Sequence, residues 1–255
     1  VAAPELGLAL KTWCFPVLGC VGYRGYYTRE GADTLAAGLR AEGWETAVYG
    51  VPAYSTLGWS NAVGGDPLLN TFVSWSDVDL ARLIFHELAH QVAYAGDDTT
   101  FNESFAVAVE RIGSRRWLQQ QATAQQLAAQ AALDQRLEDF RAFTLRWRAD
   151  LDALYKGPLD DAAKRAAKAA LMARMRSEFQ QMKAGRWGGY TGYDGWLERA
   201  NNASFAVLAA YNELVPQFEA LFDQQGRDFT RFYATVKELA ALPKAQRRAR
   251  LANPA

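Results

Sequence analysis

The chain's only two histidines, His86 and His90, stand four residues apart around Glu87, in the run Leu83-Ile84-Phe85-His86-Glu87-Leu88-Ala89-His90-Gln91-Val92. On an α-helix that spacing projects both imidazoles from one face, where their ring nitrogens can meet at a single Zn²⁺ ion. Two imidazoles and a carboxylate on so apolar a helix are costly without a compensating partner such as a metal. The fold must therefore place a helix here and, beside it, an element that supplies what the pair lacks. Glu87 is offset from the two histidines, which suits it to take a proton from a water that zinc makes acidic. Two hydrogen-bonded core histidines are the competing reading, and it requires chance to have placed the entire histidine supply in this pattern.

A catalytic zinc needs a third protein ligand and an open fourth position. No histidine remains to supply it, and Ala93 and Gly96 stand where an extended His-Glu-x-x-His pattern would need Gly and His, so the ligand is expected to be acidic. The helix predicted over Val78 to Ala95 stops at Gly96, and Asp98-Thr99 are N-cap types that start another. A hairpin turning around Gly96 and Asp97 puts His90 level with Glu103. Glu110 falls two turns further on, roughly 10 Å along the axis at 1.5 Å per residue, better placed to support a ligand than to be one. Asp97 and Asp98 read as turn and cap residues.

The rest of the chain predicts an α+β fold that is predominantly α-helical. Short strands are expected at Trp13 to Val17, Val21 to Thr28 and Trp44 to Val51, with a helix from Arg29 to Glu42 stopping at Gly43, which together make a small N-terminal mixed sheet region. Pro52 to Pro67 reads as a long loop. Leu133, Leu137, Phe140, Thr144, Trp147, Leu151 and Leu154 alternate steps of four and three. After Gly157-Pro158, a helix from Leu159 to Ala184 carries Leu171, Met175, Phe179 and Met182 on one face, so the two should fold as a long antiparallel helical arm. Gly185 to Gly195 reads as a second loop, a rim for a cleft, and Leu197 to Leu251 as helices broken at Pro216, Gly226 and Pro243. Lys244 to Arg250 reads as the solvated face of a terminal helix. The expected division is 1–120 as catalytic region, 121–184 as arm and 185–255 as a helical region completing the cleft.

With 28 basic and 28 acidic residues in 255, the chain has no electrostatic footprint for nucleic acid. No apolar run approaches the roughly 20 residues that cross a bilayer. Cys14 and Cys20, the only cysteines, have five residues between them, which is not Cys-x-x-Cys spacing; a small disulfide loop and two buried thiols are the two readings, and the first favours an oxidising compartment.

Phe85 to Val92 followed by Phe101-Asn102-Glu103-Ser104-Phe105-Ala106 resembles the paired helices of gluzincins, the thermolysin-like clan, in which an Asn-Glu pair supplies the third ligand. The connection here is shorter than thermolysin's. A closer resemblance is to the bacterial 'putative aminopeptidase' family. It is carried by Val1-Ala2-Ala3-Pro4, Lys11-Thr12-Trp13-Cys14-Phe15-Pro16, Pro52-Ala53-Tyr54-Ser55-Thr56-Leu57-Gly58-Trp59, the metal segment, and Asn201-Asn202-Ala203 with Tyr211. Ser60 to Gly65 departs from the family's shorter link.

The resemblance implies a zincin-like core and a zinc-dependent peptidase with His86, His90 and Glu103 as ligands and Glu87 as base. The substrate would be a peptide, paired along an edge at Tyr54 to Trp59 or Leu69 to Trp75. An additional donor to the oxyanion is expected from Tyr190, Tyr193 or Tyr211. It also implies a periplasmic protein, or a lipoprotein held at the membrane through an anchor on a longer parent chain. A metallohydrolase of non-peptide amides or esters, and a helical scaffold with a structural zinc, are the alternatives.

Overall fold

A computed structural model describes residues 1–15, 19–51, 72 and 74–253. The protein is predominantly helical, at 69% helix, and its described strands, three residues each, are shorter than expected. Strand β1 (Ala2–Pro4) pairs antiparallel with β4 (Trp44–Thr46), Ala2 opposite Thr46 and Pro4 opposite Trp44. Strand β2 (Trp13–Phe15) pairs with β3 (Gly19–Val21), and a disulfide joins Cys14 to Cys20 across them. The described strands thus form two separate pairs, not one mixed sheet.

Of the strand expected over Val21 to Thr28, only Val21 belongs to a strand. A half-buried strand needs one buried face, but Tyr23, Tyr26 and Tyr27 are all exposed. Gly22 lies against Leu10 so closely that an added Cβ would come within 2.9 Å of it. The expected loop Pro52 to Pro67 and the edge Tyr54 to Trp59 lie outside the described residues, as does most of Leu69 to Trp75.

The chain divides into two compact units. One comprises Val1–Trp13, Gly22–Val48 and Ala131–Ala209. Helix α1 (Arg29–Ala41) is capped by Thr28, whose hydroxyl accepts from the Gly31 N–H, and the chain turns out of it through Gly43 at φ +88. The unit's core is an antiparallel pair, α4 (Ala124–Lys156) and α5 (Asp161–Ala184). Phe143 meets Phe179 while Lys168 lies over Tyr155, so position rises on one helix as it falls on the other. Leu137 is exposed, and the predicted seam is buried only from Phe140 onward.

These helices bury Phe140, Trp147, Leu151, Met175 and Phe179 together with Leu8, Trp187 and Phe205. The Gly185 to Gly195 segment contributes to that core through Trp187 and yields at Asp194 to α6 (Asp194–Arg199). Ahead of and within α7 (Asn202–Asn212), two asparagines pin the β1–β4 pair: Asn201 donates to the Thr46 carbonyl, and Asn202 donates to the carbonyls of Pro4 and Glu5. Tyr155 donates to the Asn202 side-chain Oδ1 at 2.8 Å, so this pair of asparagines acts as a structural joint.

The other unit comprises Cys14–Val21, Tyr49–Gln130 and Ala210–Ala255. Its most extensive helix pair is α2 (Asp77–Val92) with α3 (Thr99–Gln121). The first half of α3 is buried almost all round, from Phe101 to Ala106 and at Ala108 and Val109, as a helix through the middle of a core must be. Around it lie α8 (Val215–Gln224), α9 (Phe229–Ala240) and α10 (Lys244–Ala252), with Phe101 and Phe105 against Phe218 and Phe105 also against Phe232. The expected breaks appear as a proline in the first turn of α8, Gly226 at φ +70, and Pro243 as the N-cap of α10. The basic segment is not simply a solvated face: Arg247 is 2% exposed. No described helix is long and apolar enough to cross a membrane.

Candidate metal centre

Helix α2 begins at Ser76, whose hydroxyl accepts from the Asp79 N–H, and ends at Val92, three residues earlier than the periodicity predicts. Asn102 on α3 accounts for the early end. Its carboxamide accepts from the Ala95 N–H and donates to the Ala95 carbonyl, both at 2.8 Å, taking over the groups that would have continued the helix. Asp98 then caps α3 by accepting from the Phe101 N–H. Six residues, 93–98, are left between the helices, and the two lie side by side.

That pairing brings His86 and His90 from α2 against Glu103 from α3. One carboxylate oxygen of Glu103, Oε2, is 3.5 Å from His86 Nε2 and 3.7 Å from His90 Nε2. The three ligand atoms all lie within 4.8 Å of one another, a group that could hold a metal ion. Ligands bound at zinc distances in a tetrahedron are about 3.3 Å apart, and the Glu103 oxygen lies within a few tenths of an ångström of that spacing from each histidine nitrogen. His90 and Glu103 are buried, and His86 is nearly so. Two nitrogens and one oxygen, buried and converging, suit a divalent ion of borderline softness.

Glu110, two turns beyond Glu103, reaches the other ring nitrogen: its Oε2 is 3.3 Å from His86 Nδ1. A carboxylate there fixes the ring and leaves Nε2 to face the centre. His90 Nδ1 is buried and has no hydrogen-bond partner among the described residues. The two rings differ electrostatically. Burial opposes charge on His86, but the hydrogen bonds and negative charges of Glu103 and Glu110 outweigh it and raise its pKa to about 10. Burial lowers the pKa of His90, with the attraction of Glu103 opposing and the nearby His86 reinforcing the shift.

Three tyrosines belong to this setting. Tyr211 stacks on His86 with ring centroids 6.1 Å apart and planes inclined by 17°. Ser104, beside Glu103, ties α3 to the stretch around Tyr211 by donating to the Ala210 carbonyl and accepting from the Leu214 N–H. Tyr94 has its pKa raised, first by burial and then by the charge of Glu103, and the same charge acts on Tyr49, which is 47% exposed. Sequence reasoning missed these two. Tyr94, four positions after His90, carried a weak signal; Tyr49 carried none.

Tyr190 and Tyr193 belong to the other unit. Tyr193 stacks on Phe140 at 4.0 Å and meets Trp187 and Tyr190 edge-on, while Arg136 lies over Tyr190. Their described contacts are those of an aromatic core cluster. Glu87 is half-buried on α2, next to His86.

A family model described as 'Putative aminopeptidase' matches residues 1–251. No curated protein and no solved structure matches the chain.

Proposed function

The chain belongs to the aminopeptidase family whose model spans it, and from that premise we propose that it is a zinc-dependent aminopeptidase of the gluzincin type. The observation that carries this reading is the approach of two Nε2 atoms, from His86 and His90, to a single carboxylate oxygen of Glu103. Those three residues would hold the ion, leaving a fourth position open. Zinc bound there would polarise a scissile carbonyl and make a water acidic near neutral pH.

The remaining steps belong to the chain. Glu87 accepts the proton of the attacking water and delivers it to the departing amine, one carboxylate serving as base and then as acid. Glu110 holds the His86 ring in the tautomer that directs Nε2 to the centre. Of the three tyrosines expected from sequence to steady the oxyanion, Tyr211 is the one favoured by its stacking on His86. The disulfide suggests an oxidising, extracytoplasmic setting, and we place the enzyme in the bacterial periplasm, either soluble or anchored through a longer parent chain.

Replacing Glu87 with Gln tests the division of labour. The variant should bind one zinc per chain as the wild type does, while peptide turnover falls by about 10²- to 10⁴-fold. Peptides with a free amine should be cleaved and their N-acetylated counterparts spared. Turnover unchanged by Glu87→Gln would point to a structural ion, and turnover of esters or simple amides without any cleavage of peptides would remove the peptidase reading.

A further inference from the structure

We infer that Arg247, on the C-terminal helix, is a positioning residue for the metal ligands, acting through Asp98; this rests on the zinc reading above. His90 lies two residues before the end of α2 and Glu103 in the second turn of α3. Their separation is therefore set by residues 93–98, which belong to no helix. A metal site tolerates errors of only about 0.5 Å in its ligands, so something must hold that connection.

Asn102 ties it from within, through Ala95. Arg247 ties it from outside. Its guanidinium, with the side chain 3% exposed, donates from Nη1 to Asp98 Oδ2 at 3.1 Å and from Nη2 to Asp97 Oδ1 at 2.9 Å. It also donates to the carbonyls of Leu239, Ala240 and Leu242 at the end of α9. The Asp98 carboxylate is fully buried; it also accepts from Arg248 through Nε at 2.8 Å and Nη2 at 2.5 Å, and from the Phe101 N–H at 3.2 Å.

The connection thus runs from the end of α9 through Arg247 and Asp98 to the first turn of α3, two residues from Glu103. The guanidinium also lies over the Phe101 ring at 5.3 Å. Two further ties lead to the same connection: Lys244 Nζ donates to the Asp97 carbonyl, and the Cys20 N–H donates to the Gly96 carbonyl. Removing Arg247 leaves Asp98 its pair with Arg248 but cuts the tie from the end of α9 to both aspartates, and the Asp97-Asp98 corner is then free to move toward water. Glu103 moves with it.

The test uses the full chain with Arg247→Met, Arg247→Lys and, as a control, Val236→Ala, which opens a cavity at a fully buried position of α9. For each, the zinc dissociation constant is measured by competition with a chelator, alongside the visible spectrum of the cobalt-loaded protein and the thermal midpoint. Arg247→Met should weaken zinc binding about tenfold or more and alter the cobalt bands. Val236→Ala should lower the midpoint but leave both metal readouts as in the wild type.

Arg247→Lys keeps the charge but cannot span both aspartates, so it too should weaken zinc, by less; it carries the comparison if the methionine variant does not fold. The inference is overturned if the Arg247 variants keep wild-type affinity and cobalt bands despite a lowered midpoint, or if Val236→Ala loses as much affinity as they do. A wild-type chain that binds neither zinc nor cobalt would instead refute the metal reading on which the inference rests.

Discussion

At His86 two carboxylates address one ring, Glu103 at Nε2 and Glu110 at Nδ1. Only the first also lies near His90, and on the zinc reading proposed above the second would orient the ring. Glu110→Gln should accordingly keep the fold and reduce zinc affinity about 10- to 100-fold, measured by chelator competition. The same ring sets a pH dependence. In the metal-free protein its pKa is raised to about 10, against about 6.5 in an unfolded chain. A raised value means that its contribution to stability is fully present below about pH 6.5 and is lost as pH rises toward 10. The urea midpoint of the metal-free protein should fall across that window, and a His86→Gln variant should lack that decline. His90, lowered by burial, acts on the acid side, where its contribution is lost as pH falls through its folded value. Zinc must displace the His86 proton, so its affinity should rise with pH through the same range.

Among the elements, the pairing of α2 with α3 decides the site, and one glycine sets how closely they approach. A Cβ added at Gly113 would come within 3.0 to 3.2 Å of three atoms of the Phe85 ring, next to His86. Alanine would ordinarily gain about 1 kcal/mol over glycine inside a helix. Here the crowded atoms include the root of a ring that cannot easily swing away, so Gly113→Ala should lower the thermal midpoint and weaken zinc binding. The metal helix, its partner and the offset that brings His90 level with Glu103 were legible in the sequence, because caps and histidine spacing are local signals. The burial of Arg247 was not. A basic run on a terminal helix looks solvated, and the buried Asp98 that draws Arg247 inward is separated from it by most of the α3-to-α9 sequence. The glycine-rich segment before α6 turns as its glycines predict, and Trp187 anchors it in the core.

Across the described residues, the helical majority followed from periodicity, and strand length was overestimated because an aromatic run such as Gly22 to Thr28 leaves Tyr23, Tyr26 and Tyr27 exposed. The two cysteines could be read either way from spacing, and the disulfide settles them. Family membership extends over residues 1–251, whereas the proposed ligands, the proposed base and the positioning arginine all lie in one of the two compact units. The central claim is that three side chains of that unit share one zinc. Crystals of the wild-type chain, purified without chelators, should give a single anomalous difference peak at the zinc edge between His86 Nε2, His90 Nε2 and the Glu103 carboxylate. No peak there, or a peak held by other residues, would contradict it.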